Sequence, residues 1–281
     1  MMLQSRVIGC ALCVGSVWVV LLAAESRAAF NTFTVGGNAT AASIQATVDA
    51  FRTALGNPNN GNTPGPVSGG RREINWDGGG AATSTAVGTP MTTFLNRGAK
   101  MVTPGTGFLQ TPLADPAFTG INATYATEFS FFSQQRIFTP LGSNITDVTF
   151  SLPGSNDTIP ATVAGFGAVF SDVDRQGATQ MEFFGPANNP LFTLPVPVDT
   201  VGDAGLSFAG VLANAGERIS RVRITTGNSA LGPNDQNGDN VDVVVMDDFL
   251  YSEPIVPEPG SMSLAIVALS IGSTMGSRRR S

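Results

Sequence analysis

Carboxylates are the side chains with which this chain could do chemistry, because it offers little else. It contains no His, and its two Cys, Cys10 and Cys13, lie inside an apolar N-terminal stretch. Ser-His-Asp and Cys-His centres are therefore excluded from the body, as are zinc sites built on His or Cys. Two Asp pairs stand out. Asp172 and Asp174 close one apolar run, and Asp247 and Asp248 sit near the end of the last one. Calcium takes about six to eight oxygen ligands from carboxylates, carbonyls and Asn side chains. Asp pairs at two strand ends could supply them, so these four are the candidate metal ligands and Ca2+ is the candidate cofactor. The alternative is that they are turn formers and solvated strand ends. Asp247 is the most constrained: in strict alternation it shares a face with Val243 and Val245. A buried carboxylate there needs a metal, an Arg partner or a bulge that turns it outward.

Asp235, Asn237, Asp239 and Asp242 fill the loop before that run and open like a calcium-binding EF-hand. Asn240 and Met246, however, stand where the EF-hand requires Gly and Glu. The loop is not an EF-hand.

A second constellation is the stretch 70–78, Gly-Arg-Arg-Glu-Ile-Asn-Trp-Asp-Gly, which holds the only Trp of the body. Trp76 is a candidate carbohydrate contact, its ring stacking on a sugar face while the charges bond hydroxyls. The competing expectation is a strand with Ile74 and Trp76 inward and Asp77-Gly78 as its turn. A glycosidase needs two carboxylates about 5 to 10 Å apart, one with a raised pKa. Glu73 with Asp77, or Glu128 with Glu182, are the pairs that can be named. Nothing in their spacing selects them, and no enzyme activity is expected.

These groups must be positioned by strands. Phe30 to Val35 reads as a first strand, followed by a helix whose stripe is Ile44, Val48, Phe51 and Leu55. Thr40 or Ser43 can cap its start, and Gly56-Asn57-Pro58 stops it. Residues 57–70 form a loop of Asn, Gly, Pro and Thr. Short strands are expected at 91–95, 100–102, 128–132 and 136–138. From residue 147 onward runs of alternating residues recur, separated by Gly, Asn and Pro clusters: 147–152, 162–170, 179–184, 191–196, 206–212, 218–225 and 241–251. Val243, Val244 and Val245 are apolar on both faces, as in a central strand covered on each side. The pattern predicts an all-β, jelly-roll-like β-sandwich with one short amphipathic helix near the N-terminus.

The ends differ from this body. Arg6, the apolar stretch Val7 to Ala24 and Ser26-Arg27-Ala28 have the order of a signal peptide, with cleavage between Ala28 and Ala29. An uncleaved anchor is the alternative. At the other end stand Pro257-Glu258-Pro259, an uncharged apolar segment from Ser261 to Ser277, and Arg278-Arg279-Arg280. The segment is just long enough for a thin bilayer, and positive charge stays on the cytoplasmic side. This composite resembles the PEP-CTERM sorting signal. The resemblance implies export in a Gram-negative bacterium, recognition by an exosortase, transient inner-membrane anchoring through the C-terminal transmembrane helix, and delivery to the cell envelope or extracellular matrix. A permanent tail anchor is the alternative. The body, with its "DVTF", "GFGAVFSDVD" and "DVVVMDDFLY" segments, resembles secreted domains of unknown function that often carry this tail.

The expected organisation is a signal peptide (1–28), a helix with a loop-rich β region packed on the body (29–126), a sandwich core (127–253) and the sorting tail (254–281). Between Ala29 and Val256 the chain keeps 10 of its 15 Lys+Arg and 19 of its 21 acids, a charge near −9. Nucleic acid demands a basic face and is excluded as a partner. The expected partners are signal peptidase, exosortase, the inner membrane and exopolysaccharide. The expected function is that of a non-catalytic, matrix-associated surface protein; alternatives are a calcium-dependent carbohydrate-binding module and a carboxylate-based glycoside hydrolase.

Overall fold

A computed structural model describes residues 29–78, 86–115, 117–133, 136–234 and 240–256. The signal peptide and the tail from residue 257 lie outside the described residues. No helix among the described residues is long and apolar enough to cross a membrane.

The described residues form two antiparallel sheets and one α-helix. In order, the strands are β1 (Phe30–Gly36), β2 (Arg71–Ile74), β3 (Ala99–Val102), β4 (Gly107–Gln110), β5 (Phe138–Leu141), β6 (Ile145–Phe150) and β7 (Gly165–Ser171). They continue with β8 (Gln180–Phe184), β9 (Pro190–Pro195), β10 (Leu206–Ala213), β11 (Arg221–Thr225) and β12 (Val245–Ser252). The helix α1 (Ala42–Leu55) follows β1. The first sheet has the order β1-β10-β7-β12-β5-β4, with β2 also on β12; the second has the order β3-β6-β11-β8-β9. Residues 29–126 thus add strands to both sheets and share their core, which includes Ile74, Trp76, Met101 and Phe108.

Alternation decides what each strand buries. In β6, Thr146, Val148 and Phe150 point inward, and β11 presents Val222 and Ile224 beside them. Phe166, Phe249 and Tyr251 meet them from the first sheet, with the Phe150 and Tyr251 rings 5.5 Å apart. On the solvent side of the same strands, Asp147 takes Arg221 and Arg223, each at 2.8 Å. Burial works to raise the Asp147 carboxyl, but the two guanidiniums outweigh it and hold it below the usual range.

β7 and β12 are buried along their whole length because the first sheet is covered twice. Its outer face receives Ile44, Val48, Phe51 and Leu55 of α1, packed on Val169, Phe208 and Leu250. The helix starts at Ala41 without a side-chain cap. Neither Thr40 nor Ser43 caps it, contrary to expectation. Ser43 Oγ instead donates to Thr40 O at 2.7 Å and accepts from Asn38 N at 3.0 Å, so it ties the preceding turn. Gly56 (φ 105°) ends the helix.

The seat for α1 is made of glycine. Gly167 and Gly210 face each other across β7 and β10, under the Phe51 ring. A Cβ on Gly167 would lie 2.7 Å from Phe51 Cε1, and one on Gly210 would lie 3.0 Å from Phe51 Cε2. Gly167→Ala is expected to cost about 1–3 kcal/mol by overpacking. Gly88→Ala, where a Cβ meets nothing within 4 Å, should leave stability unchanged. Urea unfolding of both variants checks this, and equal midpoints would refute the seat.

Two expected strands are absent. Met91 makes one bridge to Met101, and Leu95–Arg97 is a 3-10 turn closed by Gly98 at φ 75°. Residues 128–132 are irregular because side chains take their backbone donors: Ser130 N bonds Ser171 Oγ, and Phe132 N bonds Asp247 Oδ2, both at 2.8 Å. Their aromatics enter separate clusters, Phe129 with Tyr125 and Phe132 with α1.

Candidate functional site

Three carboxylates meet beyond the end of β7. Asp172 takes a positive φ of 73°, which turns its side chain out of the ladder. Its Oδ1 accepts from Ala204 N at 3.2 Å, while its own N–H bonds Gly205 O at 2.8 Å. The turn that carries Asp203 is built by Asp199, whose Oδ1 accepts from Val201 N and Gly202 N at 2.8 Å each. Ala204 N then reaches Glu128 O at 2.9 Å, which brings the segment before β5 to the same place. As a result, carboxylate oxygens of Glu128, Asp172 and Asp203 lie within 4.8 Å of one another. Glu128 and Asp172 are buried and Asp203 is exposed.

Burial, with the charges of Asp174 and Glu128 added, pushes the Asp172 carboxyl up to about 9. Burial likewise raises Asp174, helped by Asp199 and Asp203, and it raises Asp199. Asp242 is pushed up to about 6, again by burial first. The four groups are strained as anions.

The other predicted pair is elsewhere. Asp247 and Asp248 lie in the middle of β12, not near its end, at a register shift between Met246 and Phe249. The bulge frees Asp247 from alternation. Fully buried, it accepts from Phe132 N at 2.8 Å and from Ser133 Oγ at 3.0 Å. Asp248 accepts from Arg52 Nη2 at 3.2 Å, and the same nitrogen reaches Glu73 Oε2 at 3.0 Å. Burial and the neighbouring Asp248 push Asp247 well above the usual range; burial takes Asp248 up to about 6. Asp172 and Asp174 therefore do not converge with Asp247 and Asp248. The only grouping of three or more such ligands among the described residues is Glu128 with Asp172 and Asp203. Of the acidic loop before β12, residues 235–239 lie outside the described residues.

Above Asp248 opens a polar cleft of about 280 Å³. Arg52 comes from the last turn of α1, Glu73 from β2, Asn75 from just after it, and Asn59 and Arg97 from loops. Arg97 Nη1 donates to Glu73 O at 2.5 Å, and Arg71 Nε to Glu73 Oε1 at 2.6 Å, so the floor is pinned by ion pairs and main chain.

Trp76, expected as a sugar platform, lies in the core and is 3% exposed. Its ring stacks on Phe138 at 3.7 Å, with Phe94 and Phe249 edge-on. Its Nε1 donates to Asp247 O at 2.8 Å. A ring so enclosed has no face left for a sugar, which corrects the platform reading; Trp76 points inward as the alternative expected, but from beyond the end of β2 at Ile74 and at a φ of 63°, not from within a strand. The nameable glycosidase pairs fare no better. Glu73 is engaged by Arg52 and Arg71, the Asp77 carboxyl is raised by burial beside Ser133 and Arg136, and Glu182 stands on β8 of the second sheet whereas Glu128 lies with Asp172 and Asp203.

Sequence reading named Glu128 only beside Glu182, and it missed the meeting of Glu128 and Asp203 with Asp172 and the Arg52–Asp248 contact. The stretch from Asp199 to Gly205 carried a signal, two acids four apart among glycines, but it also reads as an ordinary turn. Set against known proteins, the chain matches no family model, no curated protein and no solved structure.

Proposed function

We propose that the chain is an exported, non-catalytic protein of the cell envelope or extracellular matrix that associates with exopolysaccharide through its polar cleft. The body is a jelly roll: β5-β12-β7-β10 lie over β6-β11-β8-β9, and the chain crosses between the sheets as two Greek keys require. Export and sorting rest on the N-terminal apolar stretch and on Pro257-Glu258-Pro259, the apolar segment and Arg278-Arg279-Arg280. Ala29 N lies 3.1 Å from Glu217 Oε1. Cleavage after Ala28 would turn that nitrogen into an α-ammonium and this contact into an ion pair.

The cleft is the observation that supports a hydroxyl-rich ligand. Guanidinium donors, carboxylate acceptors and Asn amides, which both donate and accept, match the mixed hydrogen bonding of sugar hydroxyls. The same geometry argues against hydrolysis. Asp248, the acid with the raised pKa, is 2% exposed, bonded through Oδ2 to Arg52, and its Oδ1 has no access to solvent. It cannot reach a glycosidic oxygen as placed.

Asn75→Ala and Asn59→Ala are expected to weaken binding of purified bacterial exopolysaccharides by about three- to tenfold each, the value of one hydrogen bond. Titration calorimetry measures this, with unchanged melting temperature as the control for folding. Binding that ignores both variants removes the cleft from the reading. Surface delivery that survives deletion of 257–281 removes the sorting signal.

A further inference from the structure

We propose that the end of the sandwich around Arg218, Ile255 and Val256 rests on a phospholipid bilayer while the chain is anchored, with Arg218 on a lipid phosphate. This contact rests on the reading of Ser261 to Ser277 as a membrane segment, and it adds a surface of the body to that reading. It does not involve the polar cleft.

Both ends of the body leave from this place. Ala29 O accepts from Asn214 N at 3.0 Å, and Ala29 N lies 3.1 Å from Glu217 Oε1. The next residue, Arg218, donates through Nε to Thr162 Oγ1 at 3.0 Å and through Nη2 to Thr162 O at 2.5 Å. Thr162 in turn bridges Ile255, its N–H donating to Ile255 O at 2.8 Å and its carbonyl accepting from Ile255 N at 3.0 Å. Four residues separate Ala29 from the apolar stretch that ends at Ala24, and four separate Val256 from Ser261. At about 3.3–3.6 Å per residue, neither link can span more than about 18 Å. The headgroup layer on one side of a bilayer takes up about 5–8 Å of that. Two short tethers at one end of a body hold that end toward the bilayer.

The surface at this end suits lipid. Five large apolar side chains stand exposed among the described residues, and three of them are Ile159, Ile255 and Val256. Ile159 precedes Thr162 by three residues and so flanks the same exit. Arg218 is half-buried and makes no ion pair among the described residues, and its Nη1 has no hydrogen-bond partner there. The acids nearby are engaged: Glu217 by the nitrogens of Ala29 and Ala215, Glu253 by Arg72, and Asp157 by Lys100. A guanidinium without a carboxylate is a donor fork for phosphate. Apolar side chains beside it match the layered polarity of a bilayer interface. The opposite end of the sandwich is acidic. β7 and β10 run antiparallel along the sheet, and Asp172, Asp174, Asp199 and Asp203 gather beyond Ser171 and Leu206. That polarity turns the acids away from an anionic leaflet.

Vesicles of phosphatidylethanolamine and phosphatidylglycerol, carrying bromolipids as quencher, test the contact on the full chain. A fluorophore is attached at Ile159→Cys, which is distant in sequence from the tail, or at Val201→Cys beside Asp199 at the acidic end. Cys10→Ser and Cys13→Ser leave it as the single label. Once flotation shows the chain on the vesicles, the label at Ile159→Cys should be quenched at least about threefold more than the one at Val201→Cys. Arg218→Gln should lower that quenching at least about twofold, whereas Arg175→Gln, at the acidic end, should leave it unchanged. Val256→Asp, at an exposed position that folding does not need, should lower it as well, which covers the case of a misfolded Arg218→Gln. Flotation with equal quenching at the two labels, or quenching indifferent to both Arg218→Gln and Val256→Asp, overturns the contact and leaves the membrane segment standing. A chain that does not float overturns the membrane segment and the contact together.

Discussion

Arg72→Ala should lower the unfolding free energy by about 3–5 kcal/mol, the cost of leaving a buried charge without its partner. Arg72 is fully buried on β2 and meets Glu253 side-on, Nε to Oε2 and Nη2 to Oε1, both at 2.7 Å. Its remaining donors bond the carbonyls of Gly61 and Thr63 at 2.8 Å and Asn96 at 3.3 Å. The loop 57–70 has little apolar surface to bury, and this guanidinium ties it to the sandwich together with the bonds from Asn60 N to Arg71 O and from Gly65 N to Pro153 O, both at 2.8 Å. Truncation strands the Glu253 carboxylate with only Asn60 Nδ2, 2.8 Å away, and frees three carbonyls. For a body of this size the loss corresponds to a melting-point drop on the order of 10 °C. Arg72→Lys should recover little, because an ammonium cannot reproduce the fork. Removing both charges, Arg72→Met with Glu253→Leu, should recover more than half of the loss. A single-variant loss below about 1 kcal/mol, by denaturant unfolding, would refute this role.

Trp76→Ala should cost a similar amount, about 3–5 kcal/mol, through the cavity it opens. The indole sits between Phe138, Phe94 and Phe249, at the point where β2, β5 and β12 come together. It also closes the β12 bulge by donating to the Asp247 carbonyl. Trp76→Phe keeps the stacking and loses that donor, so its cost should be about 1–2 kcal/mol, that of one unpaired buried acceptor. The pair of variants separates core from platform. Exopolysaccharide binding by folded Trp76→Phe should equal that of the parent, whereas a stacking platform would lose affinity without losing stability.

Much of the architecture was legible in the chain. Val148 and Phe150, or Val222 and Ile224, alternate with polar residues so regularly that one face had to be buried. The stripe of α1 was visible for the same reason, since 3.6-residue periodicity is a local property. Segment 128–132 shows the limit. It is aromatic-rich, but its N–H groups bond Ser171 and Asp247, residues far away in the chain. Arg71 and Arg72 look alike in sequence, yet one lies at the surface beside Glu73 and the other in the core with Glu253.

Composition alone excluded imidazole and thiol chemistry from the body, and periodicity alone required two-faced strands and one packed helix. Which acids meet was decided only in three dimensions. Asp172 is joined by Glu128 and Asp203 because the strand order places three distant turns at one end of the sandwich. Asp247 and Asp248 are kept apart from them by a bulge in mid-strand, where Phe132, Ser133 and Arg52 engage both carboxylates. Spacing along a chain sets faces, whereas convergence depends on topology, and topology is a property of all the strands together.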